Sequence, residues 1–449
     1  MVRIVRMVRG RWRACLLAAL VVLPLQAAVP ATGTAAAARA VPTAFRFSGG
    51  GYGHGIGMSQ YGAYGMALGG FSSASIIAHY YRGASASPAS LPATIRVGML
   101  QAGLDPLTGG RLGRVLVRGA ALRVGGSGTI VASGLGPRGE LRRRYLAGRV
   151  TYSIRPEAGG MSVFGPAGRV FGPTTLRGGR GLTLRYGVGA GVRVPALLQL
   201  PQSERTLRWG RLEVRAVRDS RGALRPRAVL VIGVNAYLRG LAEMPSLWPA
   251  AALRAQAIAG RSYALAAVAA RGQHRGQTSW TGCDCAVYAD TRDQAYTGWA
   301  KEGGFAGSRW VAAVDGTGSQ VVRYRGQVVQ AFYSSSSGGM TQSNAIWGSA
   351  PLAYLPVQTD PWDCARAGGR CRNPNWRWVA QRSAASVSSS LAPLGVGTVT
   401  GIQVTWRDSS GRVRGARVSG TRRTASVKGS TLLRLLHLKS TRFRVTATG

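Results

Sequence analysis

Acidic residues are scarce in this sequence, and the resulting imbalance of charge restricts its partners. Its 449 residues include 15 Asp and Glu against 58 Lys and Arg, which gives a formal net charge of +43. Such a field concentrates polyanions, so nucleic acid, anionic lipid and the anionic polymers of a bacterial wall are candidate partners. Lysine is also rare, which a coding sequence rich in G and C would explain, but such a bias does not explain the missing acids.

Common catalytic signatures are missing too. The sequence contains no Gly-x-Ser-x-Gly elbow, no His-Glu-x-x-His, no P-loop and no Gly-x-Gly-x-x-Gly after a predicted strand. Ordinary hydrolase and nucleotide-binding functions are therefore disfavoured. Disorder is disfavoured as well, because hydrophobic residues make up 45% of the chain and its length fits roughly two to three domains.

The N-terminus has the pattern of a secretory signal. Five arginines precede an apolar run at residues 14–25. Ala38-Arg39-Ala40 then offers a small-x-small cleavage site. The run is shorter than the roughly 20 residues that cross a bilayer. We therefore predict a protein exported to the cell wall, with no stable membrane span after cleavage and a remaining net charge of +37. Export disfavours nucleic acid and favours wall polymers as partners.

Four cysteines remain after this cleavage, and an even number in an exported chain indicates disulfides. Cys364 and Cys371 bracket a short loop and are the pair that we expect, with Cys283 and Cys285 as the other candidates. A metal is the alternative, since His274 lies upstream of Cys283. That spacing matches no standard zinc template, so we predict neither a metal nor a cofactor.

Hydrophobic periodicity predicts an α+β fold, with β-rich lobes around a central alanine-rich helix. Short alternating runs separated by glycines recur from residue 91 to about residue 231. Pro249 to Arg271 shows helical spacing behind a proline that suits a first turn. A second strand-rich stretch is predicted for Val311 to Tyr333, and a short helix for Ser430 to His437.

Glu243 is the acid with the most unusual surroundings. It is alone between Asp219 and Asp284, and apolar residues such as Leu241 and Met244 flank it. A carboxyl group in apolar surroundings can stay protonated near neutral pH, as a general acid must. The alternative is a solvated loop residue. A single carboxyl group would suit a glycan-cleaving reaction whose nucleophile comes from the substrate, because two-carboxylate hydrolysis needs a second acid.

Two further segments have the composition of binding loops. Glycines at alternate positions from Gly49 to Gly57 let the backbone approach a ligand, and His54, Ser59 and Gln60 can donate hydrogen bonds to sugar hydroxyls. A structural role for the histidine is the alternative. The Ser- and Gly-rich run from Tyr333 to Thr341 has apolar flanks, which favour a loop inside a folded lobe over a flexible linker.

Together these motifs resemble the stage II sporulation protein D / LytB amidase-enhancer family. The resemblance rests on Glu243-Met-Pro, on Trp248-Pro249 and on the helix that follows. It extends over most of the mature chain through several other stretches: Asp290 to Gly298, Tyr333 to Thr341, Trp347, Tyr354-Leu355, and Gly53 to Ala63.

The resemblance implies a lytic transglycosylase that cleaves peptidoglycan glycan strands stripped of stem peptides, along a long cleft. Glu243 would protonate the glycosidic oxygen and then help deprotonate the 6-hydroxyl of N-acetylmuramic acid, which closes a 1,6-anhydro ring. Other members instead assist a separate amidase. Side chains from the same motifs are the predicted substrate contacts: Gln256, Arg261, Tyr263, His54, Ser59, Gln60, Tyr333, Ser334, Ser336 and Thr341.

The sequence departs from the family pattern in two places. The Gly-His-Gly-x-Gly-Met-Ser-Gln block usually closes the domain but here opens the mature chain, which indicates a circular permutation. Asp293 stands where metal-binding members place a cysteine. We divide the chain into a signal (1–40), the displaced block (41–90), a β-rich lobe (91–227), a catalytic core (228–365) and a C-terminal β-rich segment that completes the domain (366–449).

Three functions are consistent with these motifs. The first is an exported lytic transglycosylase with Glu243 as acid/base. The second is a non-catalytic peptidoglycan-binding protein that stimulates a cell-wall amidase. The third is a structural protein that binds anionic wall polymers through its charge, with a strong dependence on salt and none on Glu243.

Overall fold

The computed structural model of the protein describes residues 42–101, 115–121, 129–186, 196–276 and 282–449. The helices are α1 Gln60–Leu68, α2 Ser73–Tyr80, α3 Val234–Arg239, α4 Ala250–Arg271, α5 Trp299–Glu302, α6 Gly307–Gly316, α7 Ala384–Ser390 and α8 Gly429–Leu435. Short 3-10 turns cover Pro201–Ser203, Asn344–Trp347, Pro361–Cys364 and Ala392–Leu394. No described helix is long and apolar enough to cross a membrane.

Strands make up the larger part of the regular structure. They are β1 Ala44–Gly49, β2 Met58–Ser59, β3 Ser85–Pro88, β4 Ile95–Leu100, β5 Val115–Ala121, β6 Ile130–Leu135, β7 Leu141–Leu146, β8 Thr151–Glu157, β9 Gly160–Gly165, β10 Gly168–Leu176, β11 Gly179–Arg185, β12 Ala196–Leu200 and β13 Arg205–Leu207. They continue with β14 Arg211–Arg218, β15 Leu224–Ile232, β16 Val287–Tyr288, β17 Gln320–Tyr324, β18 Gln327–Val328, β19 Tyr333–Ser334, β20 Arg366–Ala367, β21 Arg370–Cys371, β22 Trp378–Ser383, β23 Val399–Arg407, β24 Val413–Gly420, β25 Thr424–Lys428 and β26 Phe443–Thr448. The predicted α+β class is confirmed.

A large sheet carries most of the strands before the central helix. Its order is β13-β12-β5-β8-β9-β10-β6-β11-β14-β15-β4-β16, with β7 added beside β6. Neighbours are antiparallel except for β16, which runs parallel to β4. Apolar residues of β15 and β4 face the main core, which the helices cover from the other side. Helix α3 follows β15 directly, and the loop between α3 and α4 carries Glu243.

Helix α4 is the centre of the helical layer, and its ends follow from the sequence. Pro249 directly precedes it, and Gly272 ends it at a φ of 68°, a conformation that favours glycine. Small alanines on several faces let neighbours pack closely, and the middle of the helix is buried. It contacts α1, α2, α6 and β17. The prediction of a central alanine-rich helix is confirmed.

A second, smaller core lies under the sheet that joins the two ends of the described chain. Strand β1 is its central strand, antiparallel to both β22 and β26. Phe45 and Phe47 are fully buried there, and the ring of Phe47 contacts Phe443 edge to face at 6.0 Å. The backbone N–H of Thr43 donates to the carbonyl of Thr448 at 3.0 Å. The first and last described strands are therefore direct neighbours.

The prediction of strands from Val311 onward was wrong for its first residues. Val311 to Gly316 belong to helix α6, and the strand begins only at Gln320. Within α6 the buried residues Trp310, Ala313 and Val314 recur at helical spacing. A short apolar run cannot distinguish strand from helix by itself. The C-terminal helix α8 spans Gly429–Leu435, slightly shifted from the predicted bounds.

Candidate active site

Glu243 lies half-buried in the loop between α3 and α4. Its Oε1 accepts a hydrogen bond from the backbone N–H of Ala295 at 2.6 Å and another from the Tyr333 hydroxyl at 3.3 Å. Burial raises the pKa of the Glu243 carboxyl group, while the hydrogen bonds from Ala295, Tyr333 and Gln60 oppose that rise. Burial thus favours the protonated form of this carboxyl group, and the hydrogen bonds favour its ionised form.

A chain of buried hydrogen bonds fixes the hydroxyl of Tyr333. Gln294 donates from Nε2 to that hydroxyl at 2.8 Å and to the carbonyl of Gly260 in α4 at 3.2 Å. The Tyr237 hydroxyl of α3 donates to Oε1 of Gln294 at 3.2 Å. Neither Gln294 nor Tyr237 was among the predicted site residues. For Gln294 the signal was the match of the Asp290 to Gly298 segment, which gave no role to individual side chains, and Tyr237 lies outside that segment.

The glycine-rich block reaches this site through helix α1. Ser59 caps α1, since its Oγ accepts from the N–H of Gly62 at 3.1 Å. The next residue, Gln60, donates from Nε2 to Oε1 of Gln256 in α4 at 3.2 Å. Gln60 is also hydrogen-bonded to Glu243. The structure thus brings Gln60, Gln256 and Glu243 together from three separate segments.

The Ser- and Gly-rich loop after Tyr333 packs along the same block. Strand β19 runs parallel to β2, and Tyr52 bridges to Ser336. Ser334 accepts at Oγ from the N–H of Gly55 at 3.1 Å, and Ser336 donates to Asp363 at 2.7 Å. Thr341 donates to the carbonyl of Pro356 at 2.8 Å. These three side chains, like Ser59, which donates to Asp363, hold the loop in place.

Asp360 and Asp363 are the acids that hold this loop, and both are fully buried. Asp363 accepts from the N–H groups of Ser337 at 3.1 Å and Gly338 at 2.8 Å. Asp360 accepts from the Tyr80 hydroxyl at 3.0 Å and from the Ser337 hydroxyl at 2.9 Å. Burial, together with the neighbouring Asp363 carboxylate, raises the pKa of Asp360 to about 7.

We expect this raised pKa to make the contribution of Asp360 to stability fall as pH rises from about 4 to about 7, against the opposite contribution of His54, whose pKa is lowered to about 4. In that window Asp360 is protonated in the folded state and ionised in the unfolded state, so folding takes up a proton. One such group lowers the free energy of unfolding by about 1.4 kcal/mol for each pH unit gained. Asp360→Asn should flatten this slope, because the amide can replace a protonated carboxyl group. Urea unfolding across this range measures it, and equal slopes for both proteins would contradict the prediction.

A cavity of about 430 Å³ adjoins Tyr333 on the side away from α1. His54, Tyr263 and Trp347 are among its lining residues. His54 accepts at Nδ1 from the N–H of Ile56 at 2.9 Å, and burial lowers its pKa to about 4, so it is neutral at pH 7. Its ring contacts that of Trp347 at 5.5 Å, and Trp347 is 52% exposed. The cavity thus presents an aromatic surface to solvent.

Asp293 is the acid that borders this cavity. Arg271 donates to its Oδ1 at 2.6 Å, the Tyr263 hydroxyl donates to the same oxygen at 2.8 Å, and the N–H of Tyr288 donates to Oδ2 at 2.8 Å. This carboxylate is thus held between an arginine and two neutral donors. Among the described residues, no group of three or more His, Cys, Asp or Glu side chains has a metal-binding arrangement.

Arg261 lies behind the site. Its guanidinium is fully buried and donates to Oδ1 of Asn235 at 3.0 Å and to the carbonyls of Gln320 at 2.8 Å and Val314 at 3.2 Å. Burial lowers its pKa to about 10. The side chain connects α4 to α3, α6 and β17, so its direct effect is on the packing of these elements.

An aromatic cluster forms around Trp248, near the end of the loop that carries Glu243. Trp248 stacks on Tyr64 with ring centroids 4.6 Å apart and an interplanar angle of 17°, and Tyr61 meets the same ring at 4.9 Å. Leu247 beside them is 57% exposed. Flat, partly exposed rings of this kind stack against the apolar faces of sugars.

The four cysteines in the described part of the chain form two disulfides. Cys283 is bonded to Cys285, and Cys364 is bonded to Cys371. The second disulfide closes the turn that follows Asp363, the acid that anchors the Ser- and Gly-rich loop. It thus joins the two ends of a short hairpin, β20 and β21.

The region around Glu243 is similar in sequence to known proteins. Residues 225–324 match the family model described as Stage II sporulation protein. The amidase enhancer of Bacillus subtilis (strain 168) is 33% identical over 122 residues, which are 27% of this chain and 14% of that relative. Stage II sporulation protein D of Bacillus amyloliquefaciens is 24% identical over 245 residues, which are 54% of this chain and 67% of that relative. The match thus spans a small part of the first relative and about two thirds of the second.

Proposed function

Because the chain carries a domain of the SpoIID/LytB family, whose proteins act on the cell wall, we propose that it is an exported lytic transglycosylase of peptidoglycan glycan strands. The observation that carries the proposal is Glu243 itself. It is half-buried, its pKa is raised by burial, its partner Tyr333 lines the cavity that Trp347 borders, and Trp248 follows it in the same loop.

The proposed reaction uses one carboxyl group twice. The N–H of Ala295 and the Tyr333 hydroxyl both donate to Oε1 of Glu243, so neither of these two donors opposes a proton on Oε2. That proton passes to the glycosidic oxygen as the bond from this oxygen to C1 of N-acetylmuramic acid breaks. The resulting carboxylate takes the proton of the 6-hydroxyl while O6 bonds to C1. The 1,6-anhydro ring closes, and Glu243 is protonated again.

The bonds made by Asp293 support a mechanism without a second carboxylate. Asp293 lies two residues before Ala295, whose N–H binds Glu243, so it is the nearby acid along this segment. Its oxygens already accept from Arg271, Tyr263 and the backbone of Tyr288. A carboxylate whose oxygens are both occupied in this way is poorly placed to bind and orient a water molecule. The substrate hydroxyl is therefore the better nucleophile in this proposal.

Digestion of purified peptidoglycan tests the proposal. The protein is incubated with intact peptidoglycan and with peptidoglycan that an amidase has stripped of stem peptides, and the products are analysed by mass spectrometry. We expect fragments that end in 1,6-anhydro-N-acetylmuramic acid, with more from the stripped substrate. Reducing ends formed by addition of water would show a hydrolase instead.

The similarity to an amidase enhancer favours a second candidate function. In it the protein binds glycan without cleaving it and stimulates a cell-wall amidase. The same digestion separates the two candidates. No cleavage of either substrate, together with retained glycan binding and a faster release of stem peptides by an added amidase, would establish the enhancer.

The Tyr333 hydroxyl should set the pH at which the proposed enzyme loses activity. The acid must be protonated when the substrate binds, so kcat/KM falls as pH rises through the pKa of Glu243. Tyr333 lowers that pKa by donating to the carboxylate. Tyr333→Phe should therefore move the alkaline limb of the pH profile to higher pH. Tyr263→Phe is the control, since its hydroxyl binds Asp293 instead. An unmoved limb in Tyr333→Phe would contradict this prediction.

A further inference from the structure

Four arginines line a cavity on the small sheet, away from Glu243. The cavity has a volume of about 550 Å³ and is bordered by β1, β22 and β26. The lining arginines are Arg377, Arg407, Arg442 and Arg444. Arg377 and Arg444 are exposed, whereas Arg407 and Arg442 are half-buried. Gly49 and Gly50 form part of the lining, and a side chain at Gly49 would collide with the ring of Trp378.

None of these arginines has an acidic partner within the described part of the chain. The hydrogen bonds that they make go to uncharged carbonyl groups. Arg407 donates to those of Gly411 at 3.0 Å and Phe443 at 2.8 Å. Arg442 and Arg377 both donate to that of Gly338. A carbonyl group orients a guanidinium but does not neutralise it, so no ion pair compensates the charge of this cavity, although Asp363 attracts Arg442 without a direct contact.

Arginines elsewhere in the protein have either carboxylate or carbonyl partners. Arg96 is buried between the carboxylates of Glu213 and Asp284, and Arg271 is paired with Asp293. Arg261 and Arg412 are fully buried and, like the arginines of the cavity, donate to carbonyl groups. With 15 acids against 58 Lys and Arg, most cations have no acidic partner, so the cavity is distinguished by the four such arginines that meet around one space.

Mutual repulsion within the cluster is visible in the arginine pKa values. Burial and the charge of Arg377 lower the pKa of Arg442, and burial and the charge of Arg444 lower that of Arg407. Deeper in the fold, burial and Arg442 lower the pKa of Arg412 to about 10. All of them remain charged at pH 7. Bringing these like charges together costs free energy, which a bound anion would return.

We propose that this cavity binds a phosphate group, presented as the phosphodiester of an anionic polymer. Planar guanidinium groups match the oxygens of a phosphate in pairs, and the exposure of Arg377 and Arg444 leaves both able to contact a polymer in solvent. This site is separate from the proposed catalytic function and needs no part of it.

Binding of poly(glycerol phosphate) to the protein tests the proposal, with the double variant Arg377→Ala/Arg444→Ala against Arg143→Ala/Arg144→Ala. The control pair is exposed on β7 and removes the same charge. We expect the cavity variant to lose at least about tenfold in affinity and the control to change little. Both variants are compared with the wild type by thermal unfolding, so that a folding defect is recognised.

Two further measurements separate specific binding from general attraction. The variant Arg377→Lys/Arg444→Lys keeps the charge but not the planar fork, so it should also bind the polymer more weakly. Inorganic phosphate should compete with the polymer for the wild type, and polygalacturonate, a carboxylate polymer, should bind more weakly than poly(glycerol phosphate). Equal losses in the cavity and control variants, equal binding of the two polymers, or no binding at all would overturn the proposal.

Discussion

Replacing Glu243 by Gln should slow glycan cleavage by about 10²-fold to 10⁴-fold, the range that a positioned general acid contributes. The loss should lie toward the upper end or beyond, since both proton transfers in the proposed reaction pass through this one side chain. The amide cannot give up a proton at neutral pH. It also cannot accept one from the 6-hydroxyl. The groups bonded to Oε1 of Glu243 are a backbone N–H and a tyrosine hydroxyl. Neither replaces the carboxyl group as the acid of the first half or as the base of the second half.

The fold of this variant should be retained, which makes the result interpretable. A glutamine oxygen can accept from the N–H of Ala295 and from the Tyr333 hydroxyl as the carboxylate does. Burial raises the pKa of Glu243 and thus disfavours its ionised form, so the neutral amide should be at least as stable. Glycan binding should therefore persist. Initial rates of 1,6-anhydro product formation measure the effect.

Glu204→Gln provides a matched control. Glu204 is exposed at the end of the Pro201–Ser203 turn, at a distance along the chain from the site. It should cleave at the wild-type rate. Wild-type cleavage by Glu243→Gln would contradict the assignment of the acid/base, even if the 1,6-anhydro product confirmed the reaction. Unchanged amidase stimulation by a protein that never cleaves would instead support the enhancer.

The sequence was informative where the determinants are local. Helix α4 follows from its alanines and from the proline and glycine at its ends, and the unusual position of Glu243 follows from its apolar neighbours. The hydrogen bonds that fix Tyr333 could not be found in the same way. Gln294 and Tyr237 are 57 positions apart, and their contact depends on how α3 and α4 pack. Nothing in their immediate neighbours distinguishes them from surface residues.

The Ser- and Gly-rich loop shows that the sequence also cannot tell which polar side chains bond within the protein. Its hydroxyl groups have the composition of a sugar-binding loop, and Ser334 and Ser336 were predicted substrate contacts. In the structure Ser336 donates to Asp363, and Ser337 donates to Asp360. A polar side chain that is satisfied internally and one that faces a ligand look alike in a sequence. Only the placement of the two acids decides between them.

Deleting residues 41–90 should leave a chain that does not fold. We propose that this segment is a displaced part of the SpoIID/LytB domain. It supplies the central strand of the small sheet, the fully buried Phe45 and Phe47, and Gln60 beside Glu243. Phe47→Ala alone should lower the free energy of unfolding by about 3–5 kcal/mol. Removing the whole segment should exceed the roughly 5–15 kcal/mol by which proteins are stable. Urea unfolding and circular dichroism measure both effects.

Moving the same residues to the other end of the chain should restore the fold. The N–H of Thr43 donates to the carbonyl of Thr448, and Ala44 is paired with Thr448 across the sheet. A chain that starts at Leu91 and continues after Gly449 through a short glycine linker into residues 42–90 therefore keeps every strand pairing of β1. If the permutation interpretation holds, this chain folds and cleaves glycan as the natural order does, while the deletion does neither. An active deletion, or a rearranged chain that stays unfolded, would show that residues 41–90 are not a movable part of the domain.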